Sequence, residues 1–96
     1  MLIDELLAKK SEIILAAQKY GASEVKIFGS VVRGDERIDS DVDILVSLPK
    51  GYDMFKQRMP LQEGLENIIG KKVDLIIKHE LNKNLESIIL NDAVGL

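Results

Sequence analysis

Residues 29–43, with the sequence GSVVRGDERIDSDVD, contain a Gly-Ser turn and, at the far end, two aspartates one residue apart. On an extended strand, residues two apart point to the same face, so Asp41 and Asp43 are expected side by side. Two adjacent carboxylates repel each other unless a cation lies between them. Hard oxygen ligands of this kind suit Mg²⁺ or Mn²⁺, with water and substrate phosphates completing the coordination.

A third aspartate interrupts another short apolar run. Asp74 lies within residues 72–77, a segment rich in Val, Leu and Ile that predicts a strand. If this strand neighbours the strand predicted over residues 41–48, Asp74 can join Asp41 and Asp43 around metal ions that stabilise a leaving phosphate. The neighbourhood is an inference, because one sequence does not show strand register.

The turn before the paired aspartates has features of an anion site. Residues 25–28 predict a strand, after which Gly29 permits close backbone approach and Ser30 offers a hydroxyl and backbone N–H groups to a phosphate. A short helix beginning at Ser30 would direct the Arg33 guanidinium towards the same phosphates, and Gly34 would end it.

Each feature also has an ordinary structural explanation. A Gly-Ser pair is common turn chemistry, paired aspartates often form a solvated strand end, and a single aspartate such as Asp74 can be a satisfied edge residue. The order and spacing of all three features together favour a site for a nucleoside triphosphate and a divalent metal.

The same residues resemble the signature of a known family, the minimal nucleotidyltransferases (MNT) of the polymerase beta-type nucleotidyltransferase superfamily. The resemblance covers nearly the whole chain and rests on Gly29-Ser30, Arg33-Gly34, Ser40-Asp41, Asp43 and Asp74. It implies a polymerase beta-like α+β fold. It also implies that Asp41, Asp43 and Asp74 are catalytic and hold Mg²⁺, and that Gly29, Ser30 and Arg33 bind the nucleotide.

The resemblance further implies a partner and a reaction. Proteins of this type are often encoded beside a HEPN-domain toxin, and some silence it by moving AMP from ATP to one of its tyrosines. The resemblance thus implies a type VII-like antitoxin that uses ATP and Mg²⁺ to modify a HEPN partner. Two alternatives stay open: an antitoxin that only binds and masks its HEPN partner, and an enzyme that modifies a small molecule together with a helical subunit.

Length and composition bear on the number of domains, the partners and the cellular location. The 96 residues predict a single domain, 1–96, with no room for a second domain to bind the acceptor, so a partner or a homo-oligomer is expected to supply that surface. The net charge of −3 gives no basic footprint for long nucleic acid. The absence of cysteine, signal-peptide pattern and long apolar run favours a cytoplasmic protein without a membrane span.

Hydrophobic periodicity predicts the remaining elements. Helices are expected from residue 2 to about Tyr20, from Asp53 to Gly70 with a disturbance near Pro60, and from about Glu80 onward. Near the C-terminus, Leu90, Val94 and Leu96 are candidates for contact with a partner. The predicted architecture is a small mixed sheet with helices packed on one face and the three aspartates at the open face.

Overall fold

The computed structural model describes residues 2–96 and is organised around a four-stranded mixed sheet. Its strands are β1 (Ser23–Phe28), β2 (Val42–Ser47), β3 (Val73–Ile77) and β4 (Val94–Gly95). Their spatial order is β3-β2-β1-β4. The pair β2 and β3 is parallel, while β1 runs antiparallel to both β2 and β4.

Five α-helices accompany the sheet. They are α1 (Leu2–Ala8), α2 (Lys10–Lys19), α3 (Ser30–Arg33), α4 (Met59–Ile69) and α5 (Lys83–Asp92). The single helix predicted up to Tyr20 is therefore two helices, separated at Lys9. At this break Lys9 donates its Nζ to the carbonyl of Ile68 at 2.9 Å, one of the last carbonyls of α4, which have no partner within their own helix.

The hydrophobic core lies between one face of the sheet and helices α1 to α4. Ile27, Ile44 and Leu75 form one register row across β1, β2 and β3, and all three are buried. From the helices, the core receives Leu6, Ile13, Ala17, Val31, Leu61, Leu65 and Ile69. The predicted α+β architecture, with helices packed on one face of a mixed sheet, is confirmed. Helix α5 differs because none of its residues is buried.

The segment before α4 contains the disturbance that the sequence predicts. Residues Met54–Arg58 form a π-helical turn, and α4 follows directly. Pro60 lies in the first turn of α4, where its missing N–H removes no helical hydrogen bond. The helix ends at Gly70, which adopts the expected left-handed conformation.

The C-terminal region departs from the prediction in two ways. A 3₁₀ turn occupies Lys78–Glu80, and α5 begins only at Lys83, because the Asn82 side chain caps it by accepting from the Leu85 N–H at 2.8 Å. The residues suggested for a partner are partly used within the chain: Val94 pairs with Ile27, and Leu96 packs against the core. Within residues 2–96, no helix is both long and apolar enough to cross a membrane.

The capping role of Asp53 leads to a stability prediction. Asp53 Oδ1 accepts from the backbone N–H groups of Phe55 and Lys56, both at 2.9 Å. Replacing Asp53 with Ala should lower the free energy of unfolding by about 1 kcal/mol. A domain of this size should then lose about 4–8 °C in Tm, measured by thermal denaturation. Lys56→Ala serves as the control, and an unchanged Tm in Asp53→Ala would show that the cap does not stabilise the turn.

Candidate active site

Two of the predicted site residues lie opposite each other on neighbouring strands. Asp43 of β2 pairs with Asp74 of β3, and Phe28 of β1 lies opposite Asp43 on its other side. Adjacent strands are about 4.8 Å apart, so the two carboxylates arise from neighbouring points on one face. Their chain neighbours point to the core, which places both aspartates on the open face. The inferred neighbourhood of the two strands is confirmed.

The three aspartates are close enough for Asp41 and Asp74 to repel the Asp43 carboxylate. Partial burial raises the pKa of the Asp43 carboxyl, the nearby charges of Asp74 and Asp41 raise it further, and Arg33 partly offsets this by lowering it. Asp41, immediately before β2, and Asp74 are both exposed, whereas Asp43 is half-buried. The fold therefore gathers negative charge around one partly desolvated carboxylate, an arrangement that a bound cation would stabilise.

Gly29 lies against the Asp43 side chain. Its backbone has φ 81° and ψ −151°, a region open only to glycine, and a Cβ at this position would overlap the Asp43 Oδ2 atom. The close approach that the sequence predicts at Gly29 is thus present, and within the chain it accommodates a carboxylate. Contact with a phosphate at Gly29 stays a prediction.

Helix α3 has the predicted start and end. Ser30 is its first residue, and Gly34 closes it in the left-handed conformation while donating its N–H to the Ser30 carbonyl. Arg33 is near enough to Asp43 to affect its pKa, but its hydrogen bonds go to Asp35 at 3.4 Å and Asp92 at 3.5 Å. A role for Ser30 and Arg33 in phosphate binding stays a prediction.

The loop between α3 and β2 flanks the site, as expected. The Arg37 N–H donates to Ser40 Oγ at 2.8 Å, and Lys71 Nζ donates to the Ile38 carbonyl at 3.2 Å. These bonds fix the loop beside a groove of about 450 Å³ that Asp41 also lines. Ile38, in the middle of this loop, is 95% exposed.

The donor atoms at the site suit a hard divalent cation. Asp41, Asp43 and Asp74 supply only carboxylate oxygens, the ligand type that Mg²⁺ and Mn²⁺ prefer. Within residues 2–96, no group of three acidic, histidine or cysteine side chains is arranged to hold a metal ion by itself. This openness fits Mg²⁺, which proteins commonly hold through one or two carboxylates plus substrate phosphates and water.

Three side chains that the sequence did not point to, one from the end of the π-helical turn and two from α4, bind the backbone of β3. Val73 donates its N–H to Glu66 Oε2 at 2.9 Å, and its carbonyl accepts from Gln62 Nε2 at 3.1 Å. Arg58, at the start of α4, donates Nη2 to the Leu75 carbonyl at 3.3 Å. In the sequence, the only indication of this role is that the three polar residues are spaced four apart, beside the apolar stripe of the helix.

Comparison with known proteins agrees with this geometry. A family profile described as a nucleotidyltransferase domain matches residues 8–96. The chain belongs to the nucleotidyltransferase family. The protein adenylyltransferase MntA of Thermococcus cleftensis is 37% identical over 89 residues, which are 93% of this chain and 86% of that protein. The family places the chain among enzymes that transfer nucleotidyl groups.

Solved structures share the fold of this nucleotidyltransferase. A structure provisionally named a minimal nucleotidyltransferase has a TM-score of 0.86 and 32% identity, with 100% of this chain and 97% of that chain covered. A chain from a toxin–antitoxin crystal structure with AMP-PNP has a TM-score of 0.73 at 22% identity, covering 88% of this chain and 69% of that chain. The second likeness concerns the fold alone.

The contact between Gly29 and Asp43 predicts the cost of adding a methyl group. Gly29→Ala should lower the free energy of unfolding by about 1–3 kcal/mol from backbone strain, and further because the new Cβ displaces the Asp43 carboxylate. Gly70→Ala is a control for a positive φ alone, since Gly70 is left-handed, with φ 77° and ψ 19°, and has open space around the added Cβ. Urea denaturation should show a larger loss for Gly29→Ala. Equal losses would mean that the Asp43 contact is not close.

The raised pKa of Asp43 predicts a gain in stability when its charge is removed. A carboxyl whose pKa is higher in the folded state than in the unfolded chain lowers the free energy of unfolding as the pH rises. The loss begins near the unfolded pKa, about 4, and continues until the pH passes the raised pKa of the folded state. In metal-free buffer at pH 7, Asp43→Asn should therefore have a higher Tm than the wild type, and the gain should vanish at or below pH 4. Asp39→Asn, on the exposed loop, is the control. A lower Tm for Asp43→Asn at pH 7 would contradict the electrostatic account.

Proposed function

We propose that this nucleotidyltransferase moves AMP from ATP to a hydroxyl of a protein, a tyrosine of a cognate HEPN toxin, and thereby acts as a type VII-like antitoxin. The observation that carries the proposal is the pairing of Asp43 with Asp74 beside the Gly29-Ser30 turn. The likeness to a relative named protein adenylyltransferase supports a protein acceptor. The toxin–antitoxin structure that shares the fold, with its AMP-PNP, supports an ATP-like donor and a toxin partner.

The acidic residues would hold the metal, and the turn would hold the donor. Asp41, Asp43 and Asp74 are the candidate ligands for Mg²⁺. When bound, this ion neutralises phosphate charge and lowers the pKa of a coordinated hydroxyl. Gly29 and the N–H groups and hydroxyl of Ser30 would bind the β- and γ-phosphates, and Arg33 would leave Asp35 or Asp92 to offset their charge.

The reaction itself is an in-line displacement at the α-phosphate. The acceptor hydroxyl oxygen forms a bond to the α-phosphorus, the bond from that phosphorus to the bridging oxygen breaks, and pyrophosphate leaves with the electron pair. Asp74 is exposed on the open face and takes the hydroxyl proton. The carboxylates would therefore both bind the metal and, through Asp74, accept the proton.

The exposure of the site favours a large acceptor. Asp41 and Asp74 are both exposed, and the groove lined by Asp41 is open to solvent. Such a surface does not enclose a small molecule, so a partner protein would supply the other wall and exclude water from the reacting groups. For this reason the small-molecule alternative has less support than a protein acceptor.

Masking without chemistry is the second candidate, and one observation favours it. Helix α5 buries no residue, while Leu85 is 44% and Ile88 is 64% exposed, so apolar surface is available for a partner. A toxin bound there could be blocked by contact alone.

Three expectations from the sequence stay predictions: the cytoplasmic location, the homo-oligomer and the absence of long nucleic acid among the partners.

Intact-mass spectrometry of the toxin tests the proposed transfer. The cognate toxin, incubated with the purified chain, ATP and Mg²⁺, should gain one or more adenylyl masses, and peptide mapping should place them on tyrosine. Asp43→Asn should reduce transfer at least 100-fold because the central carboxylate is lost, while the toxin should stay unmodified without Mg²⁺. Transfer at the wild-type rate by Asp43→Asn would contradict the site assignment.

A neutralisation assay separates transfer from masking. If transfer is the mechanism, a variant with Asp41, Asp43 and Asp74 all replaced by alanine should bind the toxin but fail to relieve its toxicity. Full relief by this variant, without added mass on the toxin, would establish masking. An adenylylated small molecule with an unmodified toxin would instead establish the small-molecule alternative.

A further inference from the structure

The strand that carries Asp74 lies at the edge of the sheet. Within residues 2–96, β3 pairs with β2 alone, and the Val42 N–H donates to the Lys72 carbonyl at 2.9 Å. Backbone groups alternate in direction along a strand, so those of Asp74 also point to β2, whereas those of Val73 and Leu75 point away from the sheet. An edge strand with such free groups has no second neighbour to fix its position.

Helix α4 takes the place of the missing neighbour. Glu66 and Gln62 bind the N–H and the carbonyl of Val73, and Arg58 binds the carbonyl of Leu75. The three side chains follow one another at intervals of four residues, so they form a single row along the helix. All three hydrogen bonds are at least partly buried, which makes an unpaired partner costly.

These contacts lie on both sides of Asp74. The carbonyl that Gln62 binds belongs to the peptide bond joining Val73 to Asp74. The Val73 N–H bound by Glu66 is one peptide earlier, and the Leu75 carbonyl bound by Arg58 is one residue later. The helix therefore controls the backbone from which the Asp74 carboxylate projects, without contacting any reacting group.

We infer that Glu66 and Gln62 are positioning residues that hold β3 so that Asp74 stays level with Asp43 during adenylyl transfer. The inference rests on the proposed function, because it assigns these residues a place in that reaction. A displacement of about 1 Å at a catalytic group can cost about 100-fold in rate, so the loss of one such bond affects turnover more than binding of ATP.

Variants at Glu66 test the inference, with a matched control on the same helix. Glu66→Ala removes the acceptor for the Val73 N–H, Glu66→Gln keeps a side-chain oxygen that can accept it, and Glu63→Ala removes an exposed carboxylate of α4. Glu66→Ala should lower kcat for toxin adenylylation by about 10- to 100-fold and change KM for ATP less than twofold. Glu66→Gln should restore kcat, and Glu63→Ala should leave it unchanged.

Two results would overturn the inference. One is a kcat at the wild-type level in Glu66→Ala. The other is a loss of kcat in Glu66→Gln as large as that in Glu66→Ala, because this would show that the charge of Glu66 matters and its hydrogen bond to Val73 does not. Should Glu66→Ala fail to fold, Gln62→Ala supplies the same test at the Val73 carbonyl, with the same kcat and KM outcomes.

A cation titration separates this inference from the proposed function. If the wild type itself adenylylates nothing, the proposed function fails, and the positioning role is judged from Mn²⁺ binding alone. Glu66→Ala should then bind Mn²⁺ at least threefold more weakly than the wild type, with recovery in Glu66→Gln. Equal Mn²⁺ affinity in all three proteins would reject the positioning role.

Discussion

The parallel pairing of β2 with β3 is the constraint on which the site depends, because it puts Asp43 and Asp74 at the same level on neighbouring strands. Ionised carboxylates so placed repel each other, and the raised pKa of Asp43 expresses that repulsion together with its partial burial. The core on the other face of the sheet keeps the strands in register regardless of this cost. The protein thus retains an unfavourable charge arrangement at the point where a bound cation would relieve it.

Neighbouring parts of the fold can be understood as supports for that pairing. Gly29 leaves room for the Asp43 carboxylate, since any larger residue there would overlap it. On the outer side, α4 binds the outward-pointing backbone groups of Val73 in β3 through Glu66 and Gln62. The apolar stripe of the same helix enters the core through Leu61 and Leu65. One helix therefore both stabilises the fold and fixes the strand that carries Asp74.

Much of this organisation could be predicted from sequence because its causes are local. Alternation of apolar residues around Asp43 and Asp74 predicts both strands, and glycine at positions 29, 34 and 70 marks turns that need a positive φ. The break at Lys9 and the register shift in β1 between Ser23 and Lys26 could not be predicted in this way. Lys9 bonds to Ile68 of α4, and Glu24, with φ 52°, accepts from Ser47 and Lys78, so both features arise from residues distant in sequence. The row of α4 side chains on β3 also requires the tertiary structure.

We propose that the three aspartates and the Gly29-Ser30 turn form one site for a divalent cation. Paramagnetic broadening of amide NMR signals by substoichiometric Mn²⁺ tests it most directly, since the chain is small and the effect falls off steeply with distance. If they form one site, the signals of residues 29–30, 41–43 and 74 should broaden first, and excess Mg²⁺ should restore them. Broadening centred elsewhere in the chain, with these signals unaffected, would contradict it.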